Sequence, residues 1–229
     1  MKEVKKMNEF ERLILLIGQD NFNKLKDAKV LVFGCGGVGA SCIEMLARSG
    51  VGLIGVVDND KVEETNINRQ LIAKHSTIGQ YKVDVISERI KDINPNCEVI
   101  KYNMFYLPNN KDEIDINRYD YIIDCIDTIS AKIAIIEKAY SLNKKIISSM
   151  GTANKTDYRK FKISPINQTS YCPLAKTMRY ELKRRGISDV LVLYSTEEVS
   201  SNERLGTIAT MPVMAGIMIA DYVIKDIIK

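Results

Sequence analysis

The stretch that decides the fold is "LVFGCGGVGASCIEMLARSG", Leu31–Gly50. An apolar run, "KVLVF" from Lys29, meets four glycines in six residues, and Ile43, Leu46 and Ala47 then recur at helical spacing. Gly34, Gly36 and Gly39 spell G-x-G-x-x-G between a strand and a helix. Glycine permits the tight turn and the close approach of backbone to a phosphate. The helix N-terminus adds free N–H groups and the positive end of a dipole. The next strand, "GLIGVVD", ends at Asp58, where an acid suits ribose hydroxyls. The arrangement therefore predicts a bound nucleotide. The plainer alternative is a turn that only packs helix on strand.

Working outward, "CEVIKYN", "YDYIIDCID" and "KKIISSMG" read as further strands. They alternate with helices over "GQYKVDVISERIKDIN" and Ser130–Leu142. Such alternation predicts an α/β fold: Rossmann-like, doubly wound, a mostly parallel sheet with helices on both faces. Residues 1–28 read as a helical arm, with its helix at about 8–26. Residues 29–151 form the nucleotide-binding core, and 152–229 an integrated strand/helix extension for substrate or dimer contacts. That extension holds the strand "YRKFKIS", the helix "PLAKTMRYELKRRG", the strand "DVLVLYSTEE" and a terminal apolar helix. No repeat, low-complexity tract or linker separates it, so one domain is expected.

Bulk properties agree. The 229 residues are 45% hydrophobic, enough for a sizeable core. The 33 Lys+Arg against 29 Asp+Glu leave a net charge of +4, which allows an anionic partner without demanding one. Five scattered cysteines make no CxxC pair, which argues against structural zinc and fits a reducing cytoplasm. The N-terminal stretch carries no small-residue cleavage site. The C-terminal apolar stretch contains Pro212 and Asp221 and is short for a span, so a buried or dimer-forming helix, and no membrane partner, is expected.

The glycine fingerprint alone favours NAD. Three downstream features favour ATP with Mg²⁺. In "DNDKVEETNINRQ" a second acid, Asp60, is followed by Asn66, Asn68 and Arg69, a cation suited to a triphosphate. In "GQYKVDV" Lys82 stands near a helix start, where it can reach phosphate as a mobile charge, although alone it reads as a solvated residue. In "IIDCIDT" Asp124 and Asp127 stand at the carboxyl end of a strand, and an acid there suits magnesium held on phosphates. A helix cap is the plainer role for this last motif.

Taken together, "GCGGVG", "VVDND", "TNINRQ", "GQYKVD", "INP" and "DCIDT" resemble the ubiquitin-activating-type adenylyltransferase superfamily, from about Glu11 to Gly151. The resemblance implies attack of a carboxylate on the α-phosphate of ATP·Mg²⁺, giving an acyl adenylate and pyrophosphate. It implies that Gly34, Gly36, Gly37 and Gly39 line the phosphates, that Asp58 takes the ribose hydroxyls and that Asp60 belongs to the nucleotide site. Asn66, Arg69 and Lys82 would neutralise the triphosphate, and Asp127 would hold the metal. Arg12 would reach the neighbouring subunit's site, which implies a homodimer. Gly37 would keep the approach to the α-phosphate bare. Arg12, Arg69, Lys82 and Asp127 form the expected catalytic set.

The second half resembles the tRNA threonylcarbamoyladenosine dehydratases, on "YCPLAKTMRYELKRRG", "VLYSTEE" and "LGTIATMPVMAGIMIADYVI". That family activates the threonylcarbamoyl carboxylate at tRNA position 37 and closes it into a ring. Some members carry a cysteine where this chain has Ser200 and Ser201, which removes a thioester there. The alternative is adenylation of a ubiquitin-like or sulfur-carrier protein, with Cys172 as a candidate thiol. Against that role, no nearby histidine could activate Cys172.

Basic residues collect in the second half. Lys155, Arg159 and Lys160, then Lys176, Arg179, Lys183, Arg184 and Arg185, are expected to face water or an RNA backbone. Leu174, Met178 and Leu182 take the core side of their helix. Tyr158, Tyr171 and Tyr180 are interleaved and could stack on bases. A solvated helix face is the plainer reading.

Overall fold

Short apolar runs become strands here because both faces of the sheet are covered. In β1 (Lys29–Phe33) Val30 and Val32 enter one core while Leu31 and Phe33 enter the other, all without solvent exposure. The structure is a computed structural model that describes residues 9–198 and 205–229. Ser200 and Ser201 lie outside the described residues.

After β1 come α3 (Gly37–Arg48), β2 (Leu53–Val57), α4 (Lys82–Ile93), β3 (Glu98–Tyr102), β4 (Tyr121–Asp124), α5 (Ile129–Ser141) and β5 (Lys145–Ser149). Next follow β6 (Phe161–Pro165), α6 (Pro173–Lys183), β7 (Leu191–Ser195) and α7 (Thr210–Ile228). Two helices precede β1: α1 (Glu11–Ile17) and α2 (Gln19–Asp27). The strands lie in the order β3-β2-β1-β4-β5-β7-β6, parallel except for β6, which runs antiparallel to β7. The α/β, mostly parallel sheet expected from the sequence is therefore observed.

The apolar faces of α3, α4 and α7 cover one side of the sheet, and those of α5 and α6 the other. The approach of α7 to α3 is unusually close. A Cβ on Gly216 would stand 2.2 Å from the Val38 carbonyl oxygen, so only glycine admits this backbone approach. The terminal helix is thus a core element, burying Met211, Ala215, Ile219, Ala220 and Val223. On α3, Glu44 is buried and pairs with Arg48 on its own helix and Arg89 on α4.

One local expectation is corrected. The N-terminal arm is two helices, divided at Gly18, whose φ of 84° breaks the α path. Helix α3 begins at Gly37, two residues before the last glycine of the fingerprint. The glycines belong to its first turn as well as to the loop.

Register positions the site. Phe33 is level with Val57 on one side and with Asp124 on the other. Val57 is level with Tyr102, and Asp124 with Ser148. The segments that follow β1, β2, β3, β4 and β5 therefore all emerge along one carboxyl edge. Between β2 and β4, β1 marks the point where the strand order reverses, the place where open α/β sheets bind ligands.

Candidate nucleotide site

The turn after β1 is built by glycines with different duties. Gly34 has φ +92° and donates its N–H to the Val57 carbonyl at 2.8 Å. A Cβ on Gly39 would fall 1.7 Å from the Gly34 carbonyl oxygen, so the turn closes only on a bare Cα. Gly36 is different: the nearest atom to its imagined Cβ is Gln70 Nε2 at 3.9 Å, and the residue looks into open space. Gly37 lines the cavity and is also held bare by packing. Its Cβ would meet Pro212 at 2.9 Å and the Arg69 carbonyl at 3.0 Å, so its bareness serves the packing of α7 and the 66–70 segment. The first turn of α3 then offers N–H groups without intrahelical acceptors.

Asp58 ties this turn to the next strand. Its carboxylate accepts the Cys35 N–H at 2.7 Å and the Asp60 N–H at 2.8 Å. Burial raises its pKa, and those two amides offset part of the rise. Asp60 in turn pairs with Lys82, Oδ2 to Nζ 2.7 Å, with the lysine side chain only 7% exposed and the aspartate 58% exposed. Lys82 is thus not a solvated helix residue. It is a cation held at the base of the cavity by one carboxylate.

The 3-10 turn at Glu64–Asn66 orients the next groups. Asn66 is buried and its Oδ1 accepts the Glu63 N–H at 3.2 Å. Arg69 is braced by the Thr65 carbonyl at 2.7 Å and Asn68 Oδ1 at 2.9 Å, and it pairs with no carboxylate among the described residues. Gln70, the last residue of the "TNINRQ" motif and absent from the expected site, lines the same wall with its Oε1 buried and unpartnered.

Beyond β4 the two acids separate. Asp124 is fully buried and pairs with fully buried Lys132 of α5 at 2.8 Å. The Ser148 hydroxyl donates to Asp124 at 2.5 Å, and Lys132 also donates to the Ile126 and Ser149 carbonyls. Asp127 is exposed, makes no hydrogen bond or ion pair among the described residues, and is not a helix cap: Thr128 occupies that position, without a side-chain bond. Sequence spacing could not tell the structural acid from the free one. The signal that could have done so is Lys132, one helical turn into α5.

These groups line one cavity of about 1110 Å³. The volume exceeds the usual range for a single small ligand, so there is room for a nucleotide and part of a second substrate. Its wall includes Gly34, Gly36, Gly37, Asp58, Asp60 and Asn66. Arg69, Lys82 and Asp127 also line it, joined by Phe105 and Tyr106 after β3. Gly39 lies beneath the turn. A strap at Leu205–Thr207 closes one side. The Gly206 N–H donates to Asn154 Oδ1 at 2.7 Å, the Asn154 N–H to the Gly206 carbonyl at 2.8 Å, and Asn68 Nδ2 to the Thr207 carbonyl at 3.2 Å.

The basic residues of the second half divide. Lys155, expected on the solvent face, is 3% exposed and lines the cavity. It lies on the connection between β5 and β6, and its side chain turns inward. Arg179 is braced by the Thr169 carbonyl and hydroxyl. Arg185 is paired with Glu137 and Glu181, and Arg159 with Asp157. Lys160, Lys176 and Lys183 are exposed and carry no ion pair among the described residues, while Arg184 lies over the Tyr180 ring. Tyr158, Tyr171 and Tyr180 are exposed. Cys172 is buried at the start of α6 and lines the cavity. Arg12 lies on α1, away from the cavity of its own chain.

The fold and the site define a Rossmann-like nucleotide-binding protein whose carboxyl-edge cavity gathers cations and a carboxylate, Asp127, unpaired among the described residues, around a glycine turn. Residues 10–229 match the model of the ThiF family, and the chain belongs to that family. It is 40% identical to the tRNA threonylcarbamoyladenosine dehydratase of Bacillus subtilis (strain 168), across 97% of this chain and 96% of that protein. It is 34% identical to the tRNA threonylcarbamoyladenosine dehydratase of Escherichia coli (strain K12), across 87% and 78%. The crystal structure of the E. coli dehydratase in complex with ATP superposes with a TM-score of 0.91 at 30% identity, covering 96% of this chain and 93% of that one. The same enzyme in complex with AMP gives 0.90 at 29% identity. The expected family and fold are both borne out. No described helix is long and apolar enough to cross a membrane.

Proposed function

We propose that this chain is an ATP-dependent tRNA threonylcarbamoyladenosine dehydratase working by carboxylate adenylation. The observation that carries the reading is one cavity joining the glycine turn to Arg69, Lys82 and Asp127, in a chain similar over nearly its whole length to dehydratases of that name.

The chemistry follows from the charges. The substrate carboxylate oxygen attacks the α-phosphorus of ATP, and the bond to the bridging oxygen of the β-phosphate breaks. Pyrophosphate leaves. The N-terminus of α3, Arg69 and Lys82 stabilise the negative charge that grows on the departing phosphates. Asp58, with its bonds to Cys35 and Asp60, takes the ribose hydroxyls, and Phe105 offers an exposed ring to the base. A nitrogen of the threonylcarbamoyl group then attacks the activated carbonyl carbon, loses its proton, and releases AMP. One carboxylate oxygen leaves with AMP, so the modified base has lost the elements of water.

Magnesium supplies charge neutralisation on the phosphates in this chemistry. Such an ion takes most of its ligands from phosphate and water and one or two from protein carboxylates. Asp127, exposed on the cavity wall and unpaired among the described residues, fits that demand. No described group of three His, Cys, Asp or Glu could hold a metal without the nucleotide.

The finer assignments extend this reading. The RNA backbone runs over Lys160, Lys176, Lys183 and Arg184, with Arg159 shared between Asp157 and phosphate. The active form is a cytoplasmic homodimer in which α1 docks on the partner and Arg12 enters the partner's cavity. Leu15 and Leu16, 80% and 82% exposed on the same short helix, give that docking its apolar surface.

The test is pyrophosphate release with modified tRNA, unmodified tRNA and no tRNA. Release with modified tRNA alone, together with transfer of heavy oxygen from the labelled carboxylate into AMP, supports the reading. Release that instead depends on a small protein ending in Gly-Gly would replace it with the carrier-protein alternative.

A further inference from the structure

Lys155 has no place in the adenylation chemistry above, yet it is one of the most buried cations in the molecule. Its 3% exposure comes from a position inside the cavity wall, on the connection between β5 and β6. An ammonium has three N–H donors. Among the described residues only the Glu197 carbonyl oxygen accepts one of them, and no carboxylate lies within ion-pair distance. The Glu197 carboxylate is occupied elsewhere. It accepts the Thr156 N–H and hydroxyl at 3.1 and 3.0 Å and the Asp157 N–H at 3.0 Å. Glu197 therefore frames the segment with its carboxylate and leaves Nζ two donors to spend.

A desolvated cation without a counter-ion is costly unless an anion completes it. Burial holds the Lys155 pKa below the ordinary lysine range, with nearby Cys172 and Glu197 opposing that fall. The triphosphate already has its own cations, Arg69 and Lys82, on the segments after β2. Lys155 enters from another part of the wall, beside Asn154 and the strap. A folded RNA backbone lies on a surface and does not reach a side chain this deep. A small carboxylate on a side arm of a base does.

We infer that Lys155 is the subsite for the substrate's carboxylate, the group that holds it in the cavity before it meets the α-phosphate. This rests on the dehydratase reading and specifies how that enzyme tells an acid from a neutral ureido group. The same lysine also disfavours substrates in which the carboxylate is missing, since its charge would then stay buried and unpaired.

The experiment compares threonylcarbamoyladenosine nucleoside with its methyl ester, binding each to wild type and to Lys155→Met loaded with a non-hydrolysable ATP analogue. Methionine keeps the apolar stem and removes the charge. Wild type should prefer the acid by on the order of 30-fold, the size of a charge-assisted bond. Lys155→Met should reduce that preference to within about threefold while leaving the affinity for the ATP analogue alone within about threefold. A preference retained in Lys155→Met overturns the inference, as does a wild type that binds acid and ester alike. Weaker binding of the ATP analogue alone would reassign Lys155 to the nucleotide. An equal loss of affinity for modified and unmodified tRNA would reassign it to the RNA backbone. Should Lys155→Met fail to fold, Lys155→Gln carries the same comparison. Failure of the dehydratase reading itself shows separately, as wild type that releases no pyrophosphate with modified tRNA.

Discussion

Asp124 and Lys132 face each other at 2.8 Å with neither side chain exposed, directly beneath the loop that carries Asp127. Lys132 also holds the carbonyls of Ile126 and Ser149, so one ammonium fastens the ends of β4 and β5 to α5. Removing either partner alone leaves a buried charge, which costs about 3–5 kcal/mol. Lys132→Met should therefore lower the urea midpoint strongly and suppress adenylation with it. Lys132→Met combined with Asp124→Leu should recover much of the stability, because no orphan charge remains. A double variant whose loss equals the sum of the Lys132→Met and Asp124→Leu losses would show that the pair is not coupled.

The glycines should separate by duty. Gly39→Ala should give little folded protein, because its Cβ would stand 1.7 Å from a backbone oxygen. Gly36→Ala should fold normally, with the nearest atom 3.9 Å away, and lose ATP affinity instead. Gly37→Ala should lower the melting temperature by loosening α7 from the turn. Calorimetric ATP titration beside thermal melts distinguishes the three.

Asp127→Ala should leave the melting temperature within about 2 °C of wild type, since an exposed, unpaired side chain contributes little to stability. Pyrophosphate release should fall on the order of 100-fold or more, and chelation of divalent metal should reduce wild type towards the same level. An Asp127→Ala enzyme with normal release and normal metal dependence would remove Asp127 from the site.

Acid should weaken the packing of α3 on α4 through Glu44. Its burial alone would raise the carboxyl pKa, but hydrogen bonds and charge from Arg89 and Arg48 outweigh this and hold it below the ordinary 4.5. A depressed folded-state pKa contributes stability above the unfolded value, and that contribution is lost as pH falls through the folded one. Urea midpoints should accordingly drop below about pH 4.5 in wild type, and less steeply in Glu44→Gln.

Reversing Lys176 and Lys183 to Glu should weaken tRNA binding and flatten its salt dependence by roughly 0.7–0.9 in log–log slope for each phosphate that is no longer neutralised. ATP affinity should not change. A filter-binding series over salt measures both the affinity and the slope.

The fold was legible because local and global signals agreed. The run Lys29–Phe33 and the glycines after it announce a strand, a turn and a helix, and alternation with the later segments implies the parallel sheet. Register then brings Asp58 and Asp127 to the same edge as the glycines without further information. What sequence could not supply was direction of burial. Asp124 and Asp127 stand three residues apart at the end of one strand, yet one is locked to Lys132 and the other is free. Lys155 belongs to a basic cluster by composition, and only the turn after β5 sends it inward while Lys160 stays outside. Gly37 reads from sequence as part of a phosphate shelf, and only the structure shows that α7, more than 170 residues later, packs against it as well.

The strap at Leu205–Thr207 is bonded to Asn68, next to Arg69, and to Asn154, next to Lys155. The segment beside Arg69 and the segment beside Lys155 are thus tied together through the same three residues, so a change at Gly206 or Thr207 is felt on both flanks of the cavity.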